Sequence, residues 1–173
     1  MTLIIPTPLK GYCLWFMPTG ELYRGLYGQI QSIRTQYESP LFKPHVTLIE
    51  QVDGPEEQML ATAKQIACSL KPFDINFGKL GSTDSYYKAL FIRAEKTDEL
   101  MKANMAARKA YGRLLDPSYD PHFSLAYGIF PTETKTLMIN DVGETFNFQM
   151  HVDRIHVFST HGGPDSWYSV GEF

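Results

Sequence analysis

The sequence has few cysteines and no long apolar run. Its two cysteines, Cys13 and Cys68, are too few for a disulfide scaffold and show no metal-site spacing. Both stand in apolar surroundings, so we expect buried, reduced thiols. No stretch approaches the roughly 18 apolar residues of a membrane-spanning helix. Residues 1–10 lack the basic region and the length of a signal peptide. We therefore expect a soluble, cytoplasmic protein without a membrane partner, and a monomer.

The sequence also has no excess of positive charge. Its formal net charge is -3 and its pI is about 5.9, which argues against broad nucleic-acid binding through phosphate neutralisation. A small anionic ligand or a short RNA end remains compatible with this charge. Of the 173 residues, 43% are hydrophobic and 13% aromatic, which is enough for a folded core.

Hydrophobic periodicity predicts an α+β fold. Strand-like segments occupy 11–17, 45–50, 73–80, 86–94, 122–128, 146–152, 153–160 and 166–173. Helical patterns occupy 20–36, 55–70, 97–112 and 131–140. In the third helix, Thr97 or Asp98 is the expected N-cap. We predict one domain over 1–173, with an internal repeat at about 11–70 and 87–140 and closing strands at about 143–173.

The repeat becomes visible at a fixed offset of 77 residues. Pro44-His45 then aligns with Pro121-His122, and Thr47 aligns with Ser124. Each His-x-Thr or His-x-Ser motif follows a proline and begins a strand, in the same order of strands and helices. A single motif of this kind is most often structural, but two matched copies favour a duplicated fold with a cleft on a pseudo-twofold axis.

The spacing within each motif favours chemistry at that cleft. Residues i and i+2 of a strand share a face, so each histidine lies beside its own hydroxyl residue. A pseudo-twofold would bring two imidazoles and two hydroxyls together. Paired histidines suit general acid–base catalysis, and hydroxyls suit the non-bridging oxygens of a phosphoryl group. This set supports in-line attack at phosphorus without a metal ion.

Two other types of site fit the sequence less well. A metal site would need a third ligand, but His151, His156 and His161 show no spacing typical of metal ligands. A serine hydrolase would need a Gly-x-Ser-x-Gly turn, and Ser124 does not stand in one. We therefore expect neither a metal nor a cofactor.

Four segments carry a family resemblance: LWFMP, SPLFKPHVTL, SYYKALFI and PHFSLAYG. With the two His-x-[Thr/Ser] motifs, they resemble the 2H phosphoesterase superfamily and, within it, the plant and yeast cyclic phosphodiesterases. The resemblance covers roughly residues 11–130. The last third is similar only in its strand pattern and in Trp167.

The resemblance implies a duplicated, two-lobe fold in which two antiparallel β-sheets, flanked by helices, surround a central cleft. It implies that His45 and His122 are catalytic. The implied substrate-binding residues are Thr47, Ser124, Tyr127, Trp15 and Tyr87, with Tyr86 as an alternative to Tyr87. Strand alternation places Tyr127 on the face opposite His122, so its role requires a bulge or the end of the strand.

The implied activity is metal-independent hydrolysis of a small cyclic phosphate. The substrates would be nucleoside 2',3'-cyclic phosphates, giving 2'-phosphates, or ADP-ribose 1'',2''-cyclic phosphate, giving the 1''-phosphate. One alternative is an enzyme acting on RNA ends, either a 2'-5' phosphodiesterase or a 2'-5' RNA ligase. Another is a nucleotide-binding module without turnover.

Overall fold

The computed structural model describes residues 9–173. Most of the segment considered for a signal peptide lies outside the described residues. Between Leu9 and Phe173, no helix combines the length and the apolar character needed to cross a membrane.

The described chain contains eight strands and four helices. The strands are β1 (Tyr12–Phe16), β2 (Val46–Val52), β3 (Phe73–Ser82), β4 (Leu90–Ala94), β5 (His122–Ala126), β6 (Thr145–Val152), β7 (His156–Ser159) and β8 (Tyr168–Glu172). The helices are α1 (Gly20–Tyr37), α2 (Glu56–Ser69), α3 (Asp98–Ala110) and α4 (Thr132–Val142). Thr97 caps α3, because its side chain accepts a hydrogen bond from the Leu100 N–H.

The strands form two matched halves. Their order in the sheet is β6-β3-β4-β5-β2-β1-β7-β8, and every described pairing is antiparallel. A pseudo-twofold between β5 and β2 exchanges β4 with β1, β3 with β7 and β6 with β8. The predicted duplicated α+β fold is therefore confirmed. The two expected sheets are joined into one, however, through the single pair Val46–Phe123.

Helix packing follows the same symmetry. Helix α1 contacts β5, and α3 contacts β2, so each helix covers the motif strand of the other half. The buried stripe of α1 is Leu26, Ile30 and Ile33, with the three- and four-residue spacing of an amphipathic helix. Behind the motifs, the side chains of Val46, Leu48, Phe123 and Leu125 are fully buried. The motif residues therefore stand with one face toward the core and one toward the cleft.

Beyond Val46, β2 stays paired with β1 but no longer pairs with β5, and side chains bind several of its backbone carbonyls. The donors are Tyr119 to the Thr47 carbonyl (2.8 Å), Asn104 to that of Leu48 (2.7 Å), and Arg113 to those of Glu50 and Gln51 (3.2 and 3.1 Å). Buried backbone carbonyls need such partners. Because α3 and the loop after it supply them, β2 and β5 can separate after one residue pair and leave a cleft.

The structure corrects the strand predicted at 86–94. Tyr86–Lys88 forms a short 3₁₀ helix, and β4 starts only at Leu90. The Thr83 hydroxyl donates to the Lys88 carbonyl, and the Gly128 N–H donates to the Tyr86 carbonyl. These contacts curl the segment despite its aromatic, strand-favouring composition. They also place Tyr87 at the rim of the cleft rather than within a sheet.

The expectation that both cysteines are buried is wrong for Cys68. Cys13 is buried, but Cys68 is exposed. On α2 the buried residues are Met59, Ala63 and Ile66. Cys68 lies two residues beyond Ile66, about 200° around the helix, and therefore faces solvent.

Phe123 offers a test of this packing. It is fully buried, and its ring lies 4.6 Å from that of Phe77. We expect Phe123→Ala to lower the free energy of unfolding by about 3–5 kcal/mol, because it leaves a cavity beneath both motifs. The fully exposed Leu115 is the control, and Leu115→Ala should change stability by less than about 0.5 kcal/mol. Urea unfolding measures both, and equal effects would contradict the packing described.

Candidate active site

The pair Val46–Phe123 sets the geometry of the two motifs. In an antiparallel ladder, the flanking residues pair in the opposite sense, so His45 lies across from Ser124 and Thr47 across from His122. The two histidines are then diagonal neighbours on facing strands, for which an ideal ladder gives a Cα–Cα distance of about 7–8 Å. Both imidazoles and both hydroxyl residues line one cavity, in which a phosphoryl group can lie between the two rings.

Backbone carbonyls fix both imidazoles in the same way. His45 Nδ1 lies 2.6 Å from the Lys43 carbonyl oxygen, and His122 Nδ1 lies 2.7 Å from that of Asp120. A carbonyl oxygen only accepts, so Nδ1 carries the proton in both rings. Each ring therefore keeps its Nε2 for the cleft, available as a base when neutral and as an acid when charged.

His45 is the more enclosed histidine. Only 6% of it is exposed, and the Trp15 ring stacks on it at 3.6 Å and 9°. Burial lowers the pKa of His45 from its ordinary 6.5 to about 3. The hydrogen bond to Lys43 opposes this shift, and a charge on His122 adds to it. His45 is therefore neutral near pH 7 and has the state of a general base.

His122 has more polar surroundings. Burial also lowers its pKa, and the hydrogen bond to the Asp120 carbonyl opposes the shift. The Lys88 ammonium lowers this pKa further, whereas the Asp120 carboxylate raises it. Asp120 also forms a salt bridge with Lys88. His122 is the histidine with a carboxylate beside it, so it can hold a proton more readily than His45.

The charge difference between the two histidines comes from the repeat itself. Lys43 and Asp120, which orient the two rings through their carbonyls, are equivalent at the offset of 77 residues. One copy thus carries a cation two residues before its histidine, and the other carries an anion. The duplicated backbone is symmetric at this point, and the charges are not.

The two hydroxyls differ in their partners. The Ser124 hydroxyl donates to the Tyr87 carbonyl at 3.2 Å. Burial raises the pKa of Tyr127, and its interaction with the Ser124 side chain opposes that shift. The Tyr127 phenol is therefore a protonated donor beside Ser124. The Thr47 carbonyl accepts a hydrogen bond from the Tyr119 hydroxyl. Thr47 also lines the cavity.

The structure brings every predicted site residue to one cavity of about 280 Å³. Its walls include His45, Thr47, His122, Ser124, Tyr127, Trp15 and Tyr87. Their catalytic and binding roles remain predictions. Tyr87 and Trp167 lie with ring centroids 6.1 Å apart, so Trp167, which the resemblance identified only as a feature of the last third, also forms a wall. A nucleobase or ribose can stack against such rings.

Tyr127 reaches the cavity because its strand ends first. Strand β5 stops at Ala126, and Gly128 follows with φ of +147°. The first half has an irregularity at the equivalent place, a bulge inside β2: Glu50 aligns with Tyr127, and Gln51, with φ of +52°, aligns with Gly128. Glu50 consequently lines the same cavity. The condition stated from the sequence for Tyr127, the end of the strand, is fulfilled.

Two charged residues that were not predicted from the sequence, Glu50 and Lys88, also line the cavity. Lys88 stands in the Tyr86–Lys88 turn, and its ammonium lies 4.5 Å from the Phe91 ring centroid. It lines the cavity beside His122. The aligned repeat contains the signal for Glu50, because it falls on Tyr127. No such signal marks Lys88, whose position depends on the unpredicted 3₁₀ turn.

The remaining histidines lie elsewhere. His151 contacts Asp74, His156 contacts Glu172, and His161 accepts a hydrogen bond from the Gly11 N–H. Across residues 9–173, no three side chains of the His, Cys, Asp and Glu types are grouped as metal ligands would be.

The sequence comparisons assign the chain to a family. A sequence model of the 2'-5' RNA ligase superfamily matches residues 23–164, and the chain belongs to this superfamily of 2H phosphoesterases. A Bacillus cytotoxicus protein provisionally named a phosphoesterase is 27% identical over 131 residues, covering 72% of this chain and 76% of that protein. The cyclic phosphodiesterase of Arabidopsis thaliana is 21% identical over 124 residues, covering 72% and 68%.

Solved structures show the same fold. The TT0787 protein of Thermus thermophilus has a TM-score of 0.70 and 17% identity, covering 94% of this chain and 96% of that one. LigT of E. coli, solved with 3'-AMP, has a TM-score of 0.64 and 13% identity, covering 96% and 98%. At these identities the structural likeness establishes the fold alone.

The burial of His45 predicts a pH dependence of stability. The folded-state pKa of about 3 lies below the ordinary 6.5, so the unfolded chain binds more protons between these values. The free energy of unfolding should therefore fall as pH decreases from 6.5 toward 5, by up to about 1.4 kcal/mol per pH unit for this group. Urea unfolding at several pH values measures this slope.

The same experiment on His45→Gln should give a shallower slope in this range. The exposed His161 provides the control, because His161→Gln leaves the buried imidazole in place. An unchanged slope in His45→Gln would show that His45 is not the group responsible.

Proposed function

We propose that this protein is a metal-independent cyclic phosphodiesterase that uses its two histidines as an acid–base pair. The observation that carries the proposal is the antiparallel register of the motifs, which sets His45 across from Ser124 and Thr47 across from His122. Two imidazoles on either side of a phosphoryl group meet the requirement of in-line displacement, a base on the entering oxygen and an acid on the leaving one.

In this mechanism, water attacks phosphorus from the His45 side. Neutral His45 Nε2 takes the water proton while the new phosphorus–oxygen bond forms. The bond between phosphorus and the leaving ribose oxygen breaks, and protonated His122 Nε2 gives that oxygen its proton. Thr47 and Ser124 donate hydrogen bonds to the non-bridging oxygens, for which Ser124 must turn away from the Tyr87 carbonyl.

The environments of the two histidines support this assignment of roles. His45 is enclosed by Trp15 and has the lower tendency to hold a proton. His122 has the Asp120 carboxylate nearby. An anionic phosphate bound between the two rings favours the imidazolium form. Substrate binding would therefore charge His122, while the more deeply buried His45 stays neutral.

The size and the walls of the cavity support a choice of substrate class. About 280 Å³ lined by aromatic rings and hydroxyls suits one nucleoside cyclic phosphate, a size near the lower end of small-molecule sites. The Arabidopsis relative is named a cyclic phosphodiesterase. We therefore propose nucleoside 2',3'-cyclic phosphates, hydrolysed to 2'-phosphates, or ADP-ribose 1'',2''-cyclic phosphate, hydrolysed to the 1''-phosphate.

The first test is hydrolysis of a nucleoside 2',3'-cyclic phosphate. We expect turnover that survives EDTA, and a loss of about 10²–10⁴-fold in kcat for either His45→Ala or His122→Ala. The matched control is His151→Ala, since His151 lies outside the cavity. Full activity in a motif variant, or binding of a nucleoside 2'-phosphate without any turnover, would overturn the proposal.

The assignment of acid and base has its own test. A nucleoside 2'-(4-nitrophenyl phosphate) has a leaving group that departs without protonation, so it needs the base but not the acid. His122→Ala should therefore lose much less activity on this ester than on the cyclic phosphate, whereas His45→Ala should lose about as much on both. The reverse pattern would exchange the two roles.

A further inference from the structure

A second groove lies against the catalytic cavity, on the far side of Trp167. Its volume is about 320 Å³, compared with about 280 Å³ for the catalytic cavity. Trp167 lines both spaces, and its indole N–H donates to the Gly162 carbonyl at 3.3 Å, which holds the ring in place as a shared wall.

Two residues next to the first motif connect the groove to the catalytic groups. The Phe42 ring lines the groove and stacks at 3.8 Å on Tyr127 of the cavity. Lys43 also lines the groove, while its carbonyl orients His45. A ligand in the groove would therefore be separated from the catalytic cavity only by the side chains that line both spaces or stack between them.

The charges in the groove favour an anion. Arg34 of α1 and Lys43 line it, with Asp165 as the one carboxylate among its walls. Among the residues from 9 to 173, neither cation forms a salt bridge. The Lys43 ammonium lies 5.5 Å from the Phe158 ring centroid. Cations without a partner carboxylate, next to a site for a cyclic phosphate, suit a second phosphate.

We propose that this groove binds a second phosphate of the substrate, and the nucleoside attached to it, with Arg34 and Lys43 as the phosphate ligands. The inference rests on the proposed function, because it places the cyclic phosphate between His45 and His122. It favours substrates that carry a second phosphate and a further nucleoside over cyclic mononucleotides. The second phosphate can belong to the diester on the 5' side of an RNA end or to the pyrophosphate of an ADP-ribose derivative.

A binding experiment tests the groove without requiring turnover. Calorimetry compares adenosine 2'-phosphate with adenosine 2',5'-bisphosphate, which differ only in the second phosphate. We expect the bisphosphate to bind about tenfold more tightly, in line with hydrogen bonds to charged groups, and Arg34→Gln to remove most of this gain. Equal affinities in the wild-type protein would overturn the inference, whether or not cyclic phosphates are hydrolysed.

Two further variants sharpen the experiment. Arg24 lies on the same helix but outside the groove, so Arg24→Gln should leave both affinities unchanged. Asp165→Asn removes the carboxylate and should strengthen bisphosphate binding by a few-fold. A loss of affinity in Arg24→Gln equal to that in Arg34→Gln would indicate general charge attraction and contradict a defined site.

Rates of hydrolysis distinguish the two sources of the second phosphate, an RNA end and an ADP-ribose derivative. The substrates are cytidine 2',3'-cyclic phosphate, a dinucleotide ending in a 2',3'-cyclic phosphate, and ADP-ribose 1'',2''-cyclic phosphate. The preferred larger substrate should show a kcat/KM about tenfold above the mononucleotide and should lose this advantage in Arg34→Gln. If Arg34→Gln lowers all three rates equally, the groove inference fails while the proposed function stands. If adenosine 2',5'-bisphosphate binds but none of the three substrates is hydrolysed, the proposed function fails.

Discussion

The active site depends on one antiparallel contact, the pair between Val46 and Phe123. This contact fixes the register that sets each histidine across from the hydroxyl of the other motif. Further pairing along β2 and β5 would close the space between the motifs. Helix packing and side-chain hydrogen bonds also join the two halves, but this contact is the described ladder pair between β2 and β5. The side-chain donors along β2, such as Tyr119 and Asn104, stabilise this partial separation by satisfying backbone carbonyls of β2 beyond the pair.

A symmetric scaffold here carries an asymmetric site. The backbone presents both imidazoles through the same contact, from Nδ1 to the carbonyl two residues earlier. The residues that provide those carbonyls, Lys43 and Asp120, carry opposite charges. Trp15 covers one ring, and Lys88 approaches the other. Duplication thus accounts for the geometry of the pair, and later differences between the copies account for distinct proton affinities.

Much of the site follows from the sequence because the repeat is ungapped. The offset of 77 residues identifies His45, Thr47, His122 and Ser124 together, and strand alternation places each pair on one face. Tyr127 is where alternation fails: its strand ends one residue earlier, and only Gly128 after it hints at the turn. Local pattern predicts the elements well wherever one face is consistently buried.

Contacts between distant segments account for what the sequence does not reveal. The register of β2 against β5 joins residues 77 apart, and no local pattern shows that the pairing stops after one pair. The turn at Tyr86–Lys88 has strand-forming residues, but hydrogen bonds from Thr83 and Gly128 override that preference. The position of Lys88 depends on that turn, so it could not be predicted from the local sequence either.

The stereochemistry at phosphorus tests the central claim, direct displacement between two histidines, most directly. One diastereomer of a nucleoside 2',3'-cyclic phosphorothioate is hydrolysed in ¹⁸O-labelled water, and the configuration of the product is determined. A single in-line attack by water, with His45 as base and His122 as acid, predicts inversion. Retention would require two displacements, with a histidine as the nucleophile, and would contradict the account.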